Sequence, residues 1–107
     1  MHEHIEIRRG DGVVRVAPFG ELDVVMAPAL RAALEEAAAL RPARIVVTLR
    51  DVTFLDSTAL GAIVHGWRIA VDQGVMFTLA DASPAIHRVL AVTGLGDLLA
   101  TDFDAGA

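Results

Sequence analysis

The chain has 107 residues, no cysteine, a formal net charge of −5, and no lysine among its basic side chains. An acidic chain without a basic cluster lacks what direct nucleic-acid binding needs, because phosphate neutralisation supplies most of that affinity; it is equally unsuited to anionic membranes. Without cysteine neither a disulfide framework nor a thiolate metal site can form, and a chain of this length buries about two-thirds of its unfolded surface, enough for a single domain over 1–107 without staples.

Two strands open the chain, Ile5 to Arg9 and Val13 to Phe19. Asp11-Gly12 between them is a hairpin dipeptide, since the tight turn needs positive φ. Gly20-Glu21-Leu22-Asp23 breaks the strand pattern. In "VVMAPALRAALEEAAAL", Met26, Leu30, Ala33, Leu34, Ala37 and Leu40 fall at helical spacing. Pro28 fits only a first turn, so the helix starts just before it, and Arg41-Pro42 ends it. Arg44 to Leu49 is β-branched and apolar, the pattern of a strand buried on both faces. A helix over Ser57 to Asp72 follows Asp56, and Val75 to Ala80 is a further buried strand. Ser83, Pro84 and Gly94 supply the N-cap, first position and C-cap of a last helix. The order is β-β-α-β-α-β-α, an α/β fold whose helices form right-handed crossovers between parallel strands. No apolar run reaches the length of a membrane span, and "MHEHIEIRRG" has no signal-peptide core. The expectation is a soluble, cytoplasmic protein without membrane insertion.

Little in the chain points to catalysis. His2 and His4 are too few ligands for a metal centre. His65 and His87 lie in different helices with no carboxylate partner evident from sequence. No G-x-S-x-G elbow surrounds Ser57, and no general base can be assigned to it. No phosphate-cradling loop with its lysine is present. The reading is a binding protein that is not an enzyme and needs no cofactor.

The stretch "TFLDSTALGAIVHGW", Thr53 to Trp67, is the most informative. Asp56, Ser57 and Thr58 are three consecutive side chains able to cap one helix, and one suffices. At about 100° per residue, Leu60, Ile63, Val64, Trp67 and Val71 share the face toward the sheet. Ser57, Gly61, His65, Arg68 and Asp72 form an adjoining polar row. A glycine inside a helix costs about 1 kcal/mol relative to alanine, and close approach by a partner would account for Gly61. If Asp56 is the cap, Ser57 is a free hydroxyl at the positive end of the helix dipole, where a phosphate is stabilised. A redundant polar N-cap remains the plainer alternative.

"FLDSTALG" resembles the phosphorylation motif of the bacterial anti-sigma factor antagonists, which are small STAS-domain proteins. "GELDVVMAPAL" resembles their second signature, and "SPAIHRVLAVTGLGDLL" their C-terminal segment. The resemblance implies a STAS-type mixed β-sheet of four to five strands with helices packed on it. It also implies partner switching. The unphosphorylated antagonist binds an anti-sigma factor that is also a serine kinase, releasing a sigma factor; phosphorylation abolishes binding, and a serine phosphatase restores it. By position, Ser57 is the phosphoacceptor, Asp56 the motif aspartate and Thr58 the adjacent hydroxyl. Asp23 matches the acidic residue of the loop beside the acceptor. The partner-binding surface would then comprise Asp23, Asp56, Thr58, Ala59, Gly61, His65 and Arg68. Ala59 departs from the family's usual glycine, so a stiffer helix start is expected, with a methyl group facing whatever approaches. The alternative with the same fold is a non-switching STAS adaptor subunit of another complex, such as a lipid-transport ATPase.

Overall fold

The computed structural model describes residues 4–98. Strands β1 (Ile5–Gly10) and β2 (Val13–Pro18) form the expected hairpin. Asp11 and Gly12 have φ of 55° and 78°, the two left-handed positions of a type I′ turn. Beyond β2 come β3 (Gly20–Leu22), α1 (Ala27–Ala39), β4 (Arg44–Thr48), β5 (Val52–Leu55), α2 (Ser57–Asp72), β6 (Met76–Ala80) and α3 (Pro84–Val92).

The main sheet has the order β1-β2-β4-β6, antiparallel between β1 and β2 and parallel elsewhere. Its spine is the expected β-β-α-β-α-β-α series. The main departure is a pair of additional short strands. Gly20–Leu22, which reads as a break, is a strand, and it pairs in parallel with Val52–Leu55 as a separate two-stranded sheet. Three and four residues are too few to display an alternation.

Period-two geometry sets the core. Val14 and Val16 of β2, Ile45 and Val47 of β4, and Phe77 and Leu79 of β6 share one cluster with Leu30 and Leu34 of α1 and Ile63 of α2. Val46, on the opposite face of β4, is also buried, as the continuous apolar run predicts. Helix α1 packs on β1 and β2, α2 on β6, and the two helices on each other; α3 lies against β5.

The spacing of large apolar residues misplaces the inner face of α2. Leu60 and Ile63 are buried, but Val71 is 57% exposed. The buried side is Ala59, Leu60, Ala62, Ile63, Gly66 and Ala70. Small residues there let α1 come close: a Cβ on Gly66 would lie 2.8 Å from Leu34 Cβ and 2.6 Å from Leu34 Cδ1. On α1, Leu40 likewise fits the helical spacing yet sits at the C-cap, 42% exposed.

Candidate functional site

Parallel pairing of β3 with β5 puts Leu22 opposite Leu55. The Asp56 amide continues this ladder by donating to the Leu22 carbonyl at 3.1 Å. Asp23 and Asp56 are therefore the next residues along two adjacent chains that leave the same end of the small sheet. The two segments singled out in the sequence, Gly20 to Leu30 and Phe54 to Gly61, meet there.

Asp56 alone caps α2. Its backbone is extended, with φ −99° and ψ 179°, and its Oδ1 accepts from the Ala59 amide at 2.9 Å. The Asp56 carbonyl accepts from the Leu60 amide at 3.0 Å. Ser57 and Thr58 are exposed, and neither hydroxyl has a hydrogen-bond partner among the described residues. The capping requirement is thus met by one of three eligible side chains. The first-turn amides and the positive end of the helix dipole lie at Ser57, an environment that favours an anion.

The carboxylate of Asp23 serves its own loop. Its Oδ1 accepts from the Val25 amide at 3.1 Å and the Met26 amide at 3.2 Å. The Asp23 carbonyl accepts from the Met26 and Ala27 amides, both at 3.0 Å. These bonds pin the approach to α1 and so fix the geometry of Val24 and Val25.

The polar row of α2 divides. Gly61 is exposed, and nothing lies within 4 Å of where its Cβ would be, so no internal packing demands glycine. Arg68 is exposed as well. His65 is instead tied to α1. Its Nε2 is 2.7 Å from Glu35 Oε2, and its Nδ1 is 3.2 Å from an Arg31 guanidinium nitrogen. Arginine only donates, so Nδ1 accepts and Nε2–H donates to Glu35, which sets one tautomer. This corrects the reading of His65 as lacking a carboxylate: the partner is 30 residues away in sequence and comes near only when α1 packs on α2. Ala59 is also corrected. It is fully buried in the core, so its methyl group faces inward and is not presented to a partner. Residues 1–3 and 99–107 lie outside the described part; they include His2 and the end of the third matching segment.

Exposed apolar residues flank this end of the molecule and were not legible as such: Val24 at 62%, Val25 at 78% and Phe54 at 48%. Valine and phenylalanine are read as core by default, and only the fold reveals which are left outside. Among the described residues, no three His, Asp or Glu side chains are grouped to hold a metal ion, and no helix is long and apolar enough to cross a membrane.

The model of the STAS domain matches residues 4–105. An anti-sigma-B factor antagonist of Bacillus subtilis is 32% identical over 103 residues, covering 92% of this chain and 90% of the relative. The chain belongs to the STAS-domain family of anti-sigma factor antagonists. Among solved STAS structures, an anti-sigma factor antagonist from Mycobacterium paratuberculosis superposes with a TM-score of 0.79 at 30% identity, covering 89% of this chain and 80% of that one. The antagonist SpoIIAA shows the same fold. Its unphosphorylated form gives a TM-score of 0.79 at 22% identity over 96% of this chain and 97% of that one. The phosphorylated Bacillus SpoIIAA gives 0.72 at 23%, over 89% and 87%.

Proposed function

We propose that this antagonist is a phosphorylation-controlled partner switch. Unphosphorylated, it binds a cytoplasmic anti-sigma factor that is also a serine kinase, and thereby frees a sigma factor. Phosphate transfer from ATP to the Ser57 hydroxyl ends the binding, and a serine phosphatase reverses the modification.

The observation that carries this reading is the division of labour at the head of α2. Asp56 holds the helix, while the Ser57 hydroxyl is exposed and has no partner among the described residues. A phosphate there would add about −1.5 to −2 charges beside Asp56 without removing a structural hydrogen bond. The helix N-terminus stabilises that charge, so the fold persists while the surface changes. The buried Ala59 leaves the approach to Ser57 unobstructed by its methyl group.

Incubation of the protein with ATP and host lysate, followed by tandem mass spectrometry, tests the assignment. The expected product carries one phosphate on Ser57 and none in Ser57→Ala. Modification at Thr58 instead, or none on the wild-type chain, would refute the switch.

A further inference from the structure

Strand β1 ends the main sheet, and its outer side is open. The Phe19 amide donates to the His4 carbonyl at 2.9 Å, and β1 and β2 stay in register from Ile5 opposite Pro18 to Gly10 opposite Val13. Main-chain groups in an antiparallel pair alternate between the two sides of a strand. His4, Glu6, Arg8 and Gly10 therefore turn theirs toward β2. The N–H and C=O of Ile5, Ile7 and Arg9 turn outward, where no described residue pairs with them. Native folds blunt such an edge with charges, proline or a bulge. This strand has neither proline nor bulge, and its charges are set against one another. Arg8 stands directly opposite Arg15, and like charges so placed are destabilising. The salt bridge of Arg8 to Glu6, at 3.3 Å, runs along the strand between two exposed side chains, an arrangement worth little.

We propose that β1 is the contact by which two copies of this chain form a symmetric dimer, joining their main sheets edge to edge. The run Ile5-Glu6-Ile7-Arg8-Arg9 is self-complementary when laid antiparallel on itself. With the two-fold axis at Ile7, Ile7 faces Ile7 of the second copy, Glu6 faces its Arg8, and Arg8 faces its Glu6. The outward main-chain groups of Ile7 make this central pair a hydrogen-bonded one, and Ile5 with Arg9 makes the next on each side. Each Arg8–Arg15 pair gains a carboxylate on its open flank, from Glu6 of the second copy. A two-fold interface requires such self-complementarity, and a strand without it would leave the charges of β1 mismatched, which disfavours other partners. Beside the strand, Ile5, Ile7 and Phe19 line a cleft of about 500 Å³ with Glu36 of α1. Residues opposite one another share a face of the sheet, so Ile7 of the second copy covers apolar surface there. Ser57 follows β5, in the other sheet, and the contact does not depend on the switch.

Sedimentation velocity over a concentration series tests this, on wild type, Glu6→Arg, Arg8→Glu, an equal mixture of those two variants, and Ser57→Asp. Wild type should pass from monomer to dimer, and Ser57→Asp should do the same. Either charge reversal puts like charges at both Glu6–Arg8 positions, and the dimer affinity should fall about tenfold or more. The mixture restores opposite charges at both positions and should recover the wild-type affinity as a heterodimer. Both side chains are exposed, so each variant should keep its fold, which a thermal melt checks. Amide exchange gives a second readout: the Ile7 amide should be protected only in the dimer, and the Arg8 amide, bonded to β2, in monomer and dimer alike. A wild type that stays monomeric, a dimer indifferent to both reversals, or variants that do not recover on mixing would overturn the proposal. So would a dimer lost in Ser57→Asp, which would move the contact to the head of α2, or an Ile7 amide protected only by the anti-sigma factor, which would give the edge to a strand of that protein.

Discussion

Ser57→Asp is expected to weaken binding of the anti-sigma factor by about a hundredfold or more, while Ser57→Ala binds like wild type. Removing the Ser57 hydroxyl leaves no buried group unpaired, because the side chain is exposed and Asp56 makes the cap. Introducing a carboxylate puts a second negative charge beside Asp56 on a surface that a partner must desolvate. Like charges brought together in an interface cost several kcal/mol, and each 1.4 kcal/mol is about tenfold in affinity. The same carboxylate is favourable to the helix, because an acid in the first turn interacts well with the dipole. Ser57→Asp should therefore unfold at or slightly above the wild-type temperature, so that its loss of binding cannot be ascribed to misfolding. Titration calorimetry with a thermal melt of each variant checks both halves.

The largest effect on stability is expected at Gly66. A Cβ there would meet Leu34 Cβ at 2.8 Å and Cγ at 3.1 Å. Leu34 is fully buried on α1, and its Cβ is fixed to the helix backbone, so rotamer change alone cannot clear the clash. Gly66→Val must push α1 away from α2 or distort both. Overpacking of this kind costs about 1–3 kcal/mol, occasionally more, and the β-branched side chain with the separated helices puts the expectation near the upper end. At about 4–8 °C per kcal/mol for a domain near this size, the melting temperature should fall by about 10–20 °C. Gly61→Ala is the contrasting substitution. Its Cβ enters open space, and better helix propensity should add up to about 1 kcal/mol. A neutral Gly66→Val would show that the two helices are less closely packed than described.

Local chemistry is where the sequence was informative. Asp11-Gly12, Pro28 and Ser83-Pro84 each impose a conformation on their own few residues and lie where those constraints predict, with Ser83 Oγ accepting from the Ile86 amide at 3.3 Å; the last helix is capped by Thr93, and Gly94, read as that cap, lies one residue beyond it with φ of 88°. The start of α2 at Ser57 and its cap at Asp56 were legible for the same reason. What pairing over distance decides was not. The β3 and β5 strands exist because Leu22 and Leu55 find each other, and neither segment shows it alone. The inner face of α2 is set by how near α1 can come, so Gly66 and Ala70 outrank Val71, contrary to any ranking by hydrophobicity. The hydrogen bond of His65 to Glu35 and the exposure of Val24 and Val25 depend on the same packing.

Ser57 phosphorylation and partner binding should exclude each other. The phosphate occupancy of Ser57 in two pools of the native protein, one that co-purifies with the anti-sigma factor and one that is free, tests this exclusion. The serine should be unmodified throughout the bound pool, with phosphoserine confined to the free pool. Equal occupancy in both pools would contradict it, and would make the hydroxyls at the head of α2 a cap and a contact surface without a switch.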